Sequence, residues 1–80
     1  MTDQNKIIEV VESALALGKG EIDINSSSDN IEKWDSLGQL SILSSMDELF
    51  DGKIADIPDI ANANSITSIV SLLKENKLLK

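Results

Sequence analysis

The chain has 80 residues, of which 14 are acidic and 7 are basic, and its net charge at pH 7 is −7. This length suits one small domain, 1–80, but not a domain that encloses a deep catalytic pocket and still keeps a substantial core. The sequence has no cysteine and no histidine, which excludes disulfides, thiolate metal sites and histidine-based catalysis. We therefore predict a protein that is not an enzyme and has no catalytic residue.

The negative charge is concentrated in the middle of the chain. Residues 21–59 hold ten acids and two lysines, whereas the remaining residues hold four acids and five lysines. Such a surface repels phosphate backbones, so nucleic-acid binding is not expected. A partner with a basic surface would be attracted. The simpler alternative is that the acids only keep a small protein soluble.

Nothing in the sequence indicates export or insertion into a membrane. The first six residues lack the basic-then-apolar order of a signal peptide. No apolar run approaches the roughly 20 residues that cross a bilayer. We therefore predict a soluble, cytoplasmic protein.

The first predicted helix runs from about Asp3 to Leu17. Asp3 is a suitable N-cap, and Gly18 and Gly20 are expected to end the helix. The apolar side chains recur at helical spacing, at Ile7, Ile8, Val11, Ala14 and Leu15. The charged side chains, Glu12 among them, are expected to lie off this apolar stripe.

Residues 18–35 are predicted to form a long first loop rich in glycine, serine, asparagine and aspartate. Loops of this length are uncommon in small domains and are often functional. Apolar residues recur within it, at Ile22, Ile24, Ile31 and Trp34. We expect them to attach the loop to the core, so that it forms an ordered crossover.

The second predicted helix begins at Ser36 and ends at Asp51-Gly52. Ser36 as the N-cap, with Gln39 three residues later, fits the capping-box pattern. The apolar side chains of this helix are Leu37, Leu40, Ile42, Leu43, Met46, Leu49 and Phe50.

Two further helices are predicted after the second. A short one is expected over Pro58–Ala61, because proline can open a helical turn but not lie inside one. The last runs from Ile66 to about Asn76, is capped by Asn64-Ser65, and carries apolar residues at Ile66, Ile69, Val70 and Leu73. The predicted fold is all-α: a small bundle of three main helices plus one short helix, with a long first loop.

Ser36 is the strongest candidate for chemistry. A position at a helix start exposes the side chain, and the free backbone N–H groups there favour a phosphate. Taken alone, a serine at this position is more simply a helix cap. Its use as a hydrolytic nucleophile is unsupported, because no base is available nearby.

No metal site is predicted. The segment Asp23–Asp29 alternates oxygen ligands as a calcium-binding loop does. However, Ser28 stands where that loop requires glycine, and Trp34 stands where the bidentate glutamate belongs.

The residues around Ser36 resemble a known family. Trp34-Asp35-Ser36-Leu37-Gly38 is similar to the Asp-Ser-Leu attachment motif of acyl and peptidyl carrier proteins. The resemblance continues with Leu40, Leu43 and Met46 at the family's core spacing, which implies that they are core residues. It extends further to Asp47-Glu48-Leu49-Phe50, Ile54, Pro58 and Ser65-Ile66. It covers nearly the whole chain, most clearly residues 31–73, and implies a single carrier domain over 1–80.

The resemblance also implies roles. Ser36 would carry a 4′-phosphopantetheine arm transferred from coenzyme A by a phosphopantetheinyl transferase, and the arm's thiol would hold an acyl or aminoacyl group as a thioester. Asp35 would assist recognition beside the serine. The residues that would contact partner enzymes are Leu37, Met46, Asp47, Glu48 and Asp51. For Leu37, core packing is an equal alternative, and for the acids the alternative is a solvated helix face.

Two departures from the family's sequence pattern concern the group that the arm would carry. Gly38-Gln39 stands where many fatty-acid carriers have an acid after Asp-Ser-Leu, and residues 61–64 are less acidic than usual. We expect a monomeric, stand-alone carrier of a specialised biosynthetic pathway, loaded by an acyl- or aminoacyl-activating ligase and served by acyl-processing enzymes with basic docking surfaces. The alternative is an acidic docking module with the same bundle, never modified, that binds a basic protein.

Overall fold

Three α-helices carry the fold, as predicted. The computed structural model describes residues 3–79, in which α1 spans Gln4–Ala14, α2 spans Ser36–Leu49 and α3 spans Ile66–Glu75. Helix α1 packs mainly against α2 and to a lesser extent against α3. Within the described residues the one extended pairing is an isolated antiparallel bridge between Ser27 and Ser65. The all-α bundle with a long first loop is therefore confirmed.

Helix α1 begins where the sequence predicts but ends earlier. The Asp3 carboxylate accepts a hydrogen bond from the backbone N–H of Lys6 at 3.1 Å, so Asp3 is the N-cap. The helix ends at Ala14, so the prediction that it reaches Leu17 and is stopped by the glycines is wrong.

The early end of α1 is a Schellman motif. Ala16 adopts the left-handed conformation, with φ of 58°. Its N–H donates to the Ser13 carbonyl at 3.1 Å, and the Leu17 N–H donates to the Glu12 carbonyl at 2.8 Å. An alanine thus occupies the position at which glycine is usual, so the residue types did not indicate this helix end.

Helix α2 is capped by Asp35, not by Ser36. Asp35 has extended backbone angles, and its carboxylate accepts from the Gly38 N–H at 2.9 Å. Ser36 is the first helical residue, so the predicted capping box is wrong. Aspartate and serine are equally good N-caps, and the chain uses the earlier of the two. The last residue of α2 is Leu49, and the predicted stop at Asp51-Gly52 follows the Phe50 C-cap, where the Gly52 N–H donates to the Asp47 carbonyl at 2.8 Å.

Two 3₁₀ turns, Lys53–Asp56 and Ile60–Asn62, replace the single short helix predicted over Pro58–Ala61. The residue before a proline avoids helical angles, and Ile57 is extended, with ψ of 108°. Pro58 therefore separates the two turns instead of opening one helix. Both turns pack against α2, which approaches them more closely than it approaches α3.

Helix α3 agrees with the prediction. The Ser65 hydroxyl accepts from the Ser68 N–H at 3.1 Å and caps the helix. All four residues of the predicted apolar stripe are buried, at Ile66, Ile69, Val70 and Leu73. The helix ends at Glu75, one residue before the predicted end.

The first loop (residues 18–35) is an ordered crossover, as predicted. Ile22 and Trp34 are buried in the core. The loop is also attached to the start of α3, because the Ser28 N–H donates to the Asn64 carbonyl at 2.9 Å and the Ile66 N–H donates to the Ser26 carbonyl at 3.0 Å.

Glu12 anchors the beginning of the same loop. Its side chain is buried, which contradicts the prediction that it lies off the apolar stripe. Its carboxylate accepts hydrogen bonds from the backbone N–H of Gly20 at 2.7 Å and of Ile22 at 3.2 Å. A buried carboxylate is tolerated where backbone donors satisfy it.

We predict that Ala16→Gly stabilises the protein by about 0.5–1 kcal/mol. A left-handed conformation costs an L-residue about 1–2 kcal/mol, whereas glycine adopts it freely and loses about 0.5–1 kcal/mol through chain entropy. Urea unfolding with an unchanged m-value should show a higher midpoint. Ala14→Gly, at the last residue of α1, is the matched control and should lose up to about 1 kcal/mol, because Ala14 lacks the left-handed conformation. Equal losses in both variants would contradict the prediction.

Candidate functional site

Ser36 lies at the exposed start of α2. It is the first helical residue after the Asp35 cap, and its side chain is exposed. None of the side-chain hydrogen bonds within residues 3–79 uses its hydroxyl. The oxygen is therefore accessible to a partner molecule and is not needed to hold the fold.

Asp35 fixes the junction between the first loop and α2. Its carboxylate accepts from the Gly38 N–H at 2.9 Å, and its carbonyl accepts from the Gln39 N–H at 2.8 Å. Both bonds set the direction in which α2 leaves the loop. Asp35 thus positions Ser36 in addition to any contact of its own with a partner.

Two leucines next to Ser36 are exposed to solvent. Leu37 is 75% exposed, which decides against the core-packing alternative for this residue. Leu40 is 63% exposed, so its prediction as a core residue is wrong. Large apolar side chains exposed together are unusual on a small monomer and are typical of interaction sites.

The acidic residues predicted for docking lie at the other end of α2. Asp47, Glu48 and Asp51 are all exposed. At a rise of 1.5 Å per residue, Asp47 lies about 16 Å along the helix from Ser36. Met46 is fully buried, so the prediction that it contacts partners is wrong and it belongs to the core.

The side-chain amide of Gln39 joins three segments beside Ser36. Its oxygen accepts from the Trp34 indole N–H at 2.7 Å. Its nitrogen donates to the carbonyls of Ala61 at 3.2 Å and Ala63 at 2.9 Å. We call these three hydrogen bonds the Gln39 bridge. The sequence did not indicate this bridge, because Gln39 fits half of a capping box and stands where many fatty-acid carriers have an acid.

An open groove of about 560 Å³ adjoins Ser36. We call it the Ser36 groove; its lining residues are Ser28, Trp34, Asp35, Ser36, Gln39, Leu40, Leu43, Ala61, Asn62 and Asn64. Asp35 is its one ionisable side chain. The groove lies between α2 and the segment 61–64, so the Gln39 bridge connects its two walls.

Gly38 lets α2 approach the first loop closely. A β-carbon at this buried position would overlap the Lys33 carbonyl oxygen and lie 2.7 Å from a methyl group of Leu15. Glycine here is therefore a packing requirement. The sequence had indicated only that Gly38 stands where many fatty-acid carriers have an acid.

The described part of the chain shows neither a metal cluster nor a membrane span. No three carboxylates come together in residues 3–79 in a way that could hold an ion. No helix there has the length and apolar character needed to cross a bilayer.

Comparisons with protein-family models, with curated proteins and with solved structures found no match to this chain. The assignment of a function therefore depends on the residues and geometry described above.

We predict that Gly38→Ala destabilises the protein by about 2 kcal/mol, as overpacking in a filled site does. The sign of this change in the free energy of unfolding is informative, because alanine in a helix is ordinarily favoured over glycine by about 1 kcal/mol. Chemical unfolding measures the change. Ser41→Ala, at an exposed position of α2, is the control and should be within about 0.5 kcal/mol of the parent protein. A stabilised Gly38→Ala protein would show that the close approach is not present.

We predict that Gln39→Glu destabilises the protein by about 1–3 kcal/mol. A carboxylate can still accept from Trp34, but it cannot donate to the two carbonyls, which lose their partner. The matched control is Gln4→Glu, which makes the same chemical change at the start of α1, where a negative charge is favourable. Urea titration, monitored by the fluorescence of the single tryptophan, Trp34, gives the free energy of unfolding of both variants. A Gln39→Glu midpoint equal to that of Gln4→Glu would contradict the prediction.

Proposed function

We propose that this protein is an acyl or aminoacyl carrier in which Ser36 holds a 4′-phosphopantetheine arm. The observation that carries the proposal is the Ser36 hydroxyl, which is exposed at the first turn of α2 and takes no part in the hydrogen bonds of the described residues. The Asp-Ser-Leu sequence around it supports the same function. The bound arm would supply a thiol that holds the cargo as a thioester.

The local geometry suits attachment of a phosphate at this serine. The backbone N–H groups of the first helical turn point toward the helix start, and the positive end of the helix dipole favours a negative charge there. Asp35 takes up the Gly38 N–H and so leaves the N–H groups of Ser36 and Leu37 available. Modification would therefore require no change in the fold.

The attachment step that Ser36 would undergo is a phosphoryl transfer. The Ser36 oxygen attacks the phosphorus of coenzyme A that bears the pantetheine arm. A P–O bond forms to the serine while the bond to the adenosine bisphosphate breaks, and that nucleotide leaves. The serine proton would pass to a base of the transferase, since none of the side-chain hydrogen bonds within residues 3–79 reaches the Ser36 hydroxyl.

The surface of α2 would serve recognition by the partner enzymes. Leu37 and Leu40 supply an apolar contact next to the serine. Asp47, Glu48 and Asp51 supply negative charge at the far end of the helix, where basic residues of a partner would be attracted. We propose that the partners are a transferase, an activating ligase and acyl-processing enzymes, and that the carrier acts as a cytoplasmic monomer in a specialised biosynthetic pathway.

The test is an intact-mass measurement after incubation with coenzyme A and a broad-specificity phosphopantetheinyl transferase. We expect one arm on the parent protein and none on Ser36→Ala. Ser41→Ala, which removes a different exposed hydroxyl of the same helix, should still gain one arm. A folded parent protein that gains no mass would overturn the proposal and favour the unmodified docking module.

A further inference from the structure

The Gln39 bridge lies directly beneath the place where an arm on Ser36 would leave the helix. Residues three and seven positions apart share a face of a helix, so Ser36, Gln39 and Leu43 follow one another along the floor of the Ser36 groove. A cargo that folds back from Ser36 toward the protein therefore meets Gln39 before it meets the core.

The opposite wall of the groove is held to α2 by Gln39. Within the described residues, the hydrogen bonds between α2 and the segment 60–63 are the two that the Gln39 amide donates to Ala61 and Ala63. The other hydrogen bonds of that segment are local, such as those from Asn62 to Asp59 and from Ala63 to Ile60. Release of Gln39 would free residues 60–63 without breaking a helix, while Asn64, at the end of the wall, would stay attached to the first loop through the Ser28 N–H.

The apolar core lies behind this wall, because Ile60 and Ala63 are buried members of the core. Helix α2 approaches the two 3₁₀ turns more closely than it approaches α3. Movement of the segment 60–63 would thus deepen the groove into the apolar core. An entering hydrocarbon chain offers no hydrogen bond to replace the amide, so the two carbonyls and the Trp34 indole would lose their partner.

We propose that Gln39 is a positioning residue that keeps the Ser36 groove shallow, so that the protein accommodates short acyl groups and leaves longer chains outside. This inference deepens the proposed carrier function and rests on it. Gln39 determines the length of the cargo that is shielded from solvent. The cargo class is a short acyl group without net charge, since Asp35 beside the attachment point is the one ionisable side chain of the groove and the rest of the lining is apolar or neutral.

The first measurement uses the unmodified protein. Hydrogen exchange at the amides of Asn62 and Ala63 should be about tenfold faster in Gln39→Glu, because loss of two ordinary hydrogen bonds favours opening of the segment. Gln4→Glu should leave these rates unchanged. The amide of Val11, in the buried core of α1, exchanges by global unfolding, so it should exchange more slowly than the amides of Asn62 and Ala63 in every variant. No acceleration at Asn62 and Ala63, or exchange there as slow as at Val11, would overturn the inference.

The second measurement uses protein loaded on Ser36 with acetyl- or octanoyl-phosphopantetheine from the corresponding coenzyme A thioester. In the parent protein, hydroxylamine should cleave both thioesters at the same rate. In Gln39→Glu the octanoyl thioester should be cleaved several-fold more slowly than the acetyl thioester, with a change in Trp34 emission. General loosening of the fold would not protect the long chain alone.

The two proposals can fail separately. If loading succeeds but Gln39→Glu shows equal cleavage of both thioesters, the inference is overturned and the carrier function remains. The same holds if the parent protein already protects the octanoyl thioester. Loading that fails in every folded variant would overturn the carrier function, and the inference with it.

Discussion

The hydrogen bonds of the Gln39 amide hold together the three segments that meet beside Ser36. The first loop reaches them through Trp34, helix α2 through Gln39, and the segment before α3 through Ala61 and Ala63. Every polar atom of the amide is satisfied, and the indole it contacts is 2% exposed. Because one side chain connects all three segments through hydrogen bonds, the structure around Ser36 forms cooperatively.

The remainder of the site is arranged along α2 by the helix repeat. The start of the helix presents a hydroxyl and two exposed leucines, while the acids lie near its other end. The uncharged first turns of α2 and the acidic residues near its end are thus separate regions of the same helix. A partner enzyme would be attracted by charge over a distance and held near the serine by apolar contact, and these two contributions respond differently to salt.

The sequence was sufficient for the features that depend on spacing along one segment. Apolar periodicity predicted the three helices and the buried face of α3, and the caps at Asp3 and Ser65 followed from residue type. Features set by distant segments were missed. The close packing of Gly38 depends on where the Lys33 carbonyl lies, and the burial of Glu12 depends on the loop donors that reach it. For Glu12 a signal existed, since it lies between Val11 and Leu15 at the edge of the apolar stripe.

The attachment of the first loop to α3 has a consequence for the order of folding. The Ile66 N–H bonds to the Ser26 carbonyl, a pairing that closes a chain segment of about 40 residues. Local helices form early, whereas a contact of this span must await the arrival of the later segment. During synthesis, the loop that leads into Ser36 therefore acquires its final shape only after α3 has emerged from the ribosome. A nascent chain cut short before Ile66 would present Ser36 on a loop without its final structure. Under the proposed carrier function, a transferase would therefore modify the complete chain in preference to the incomplete one.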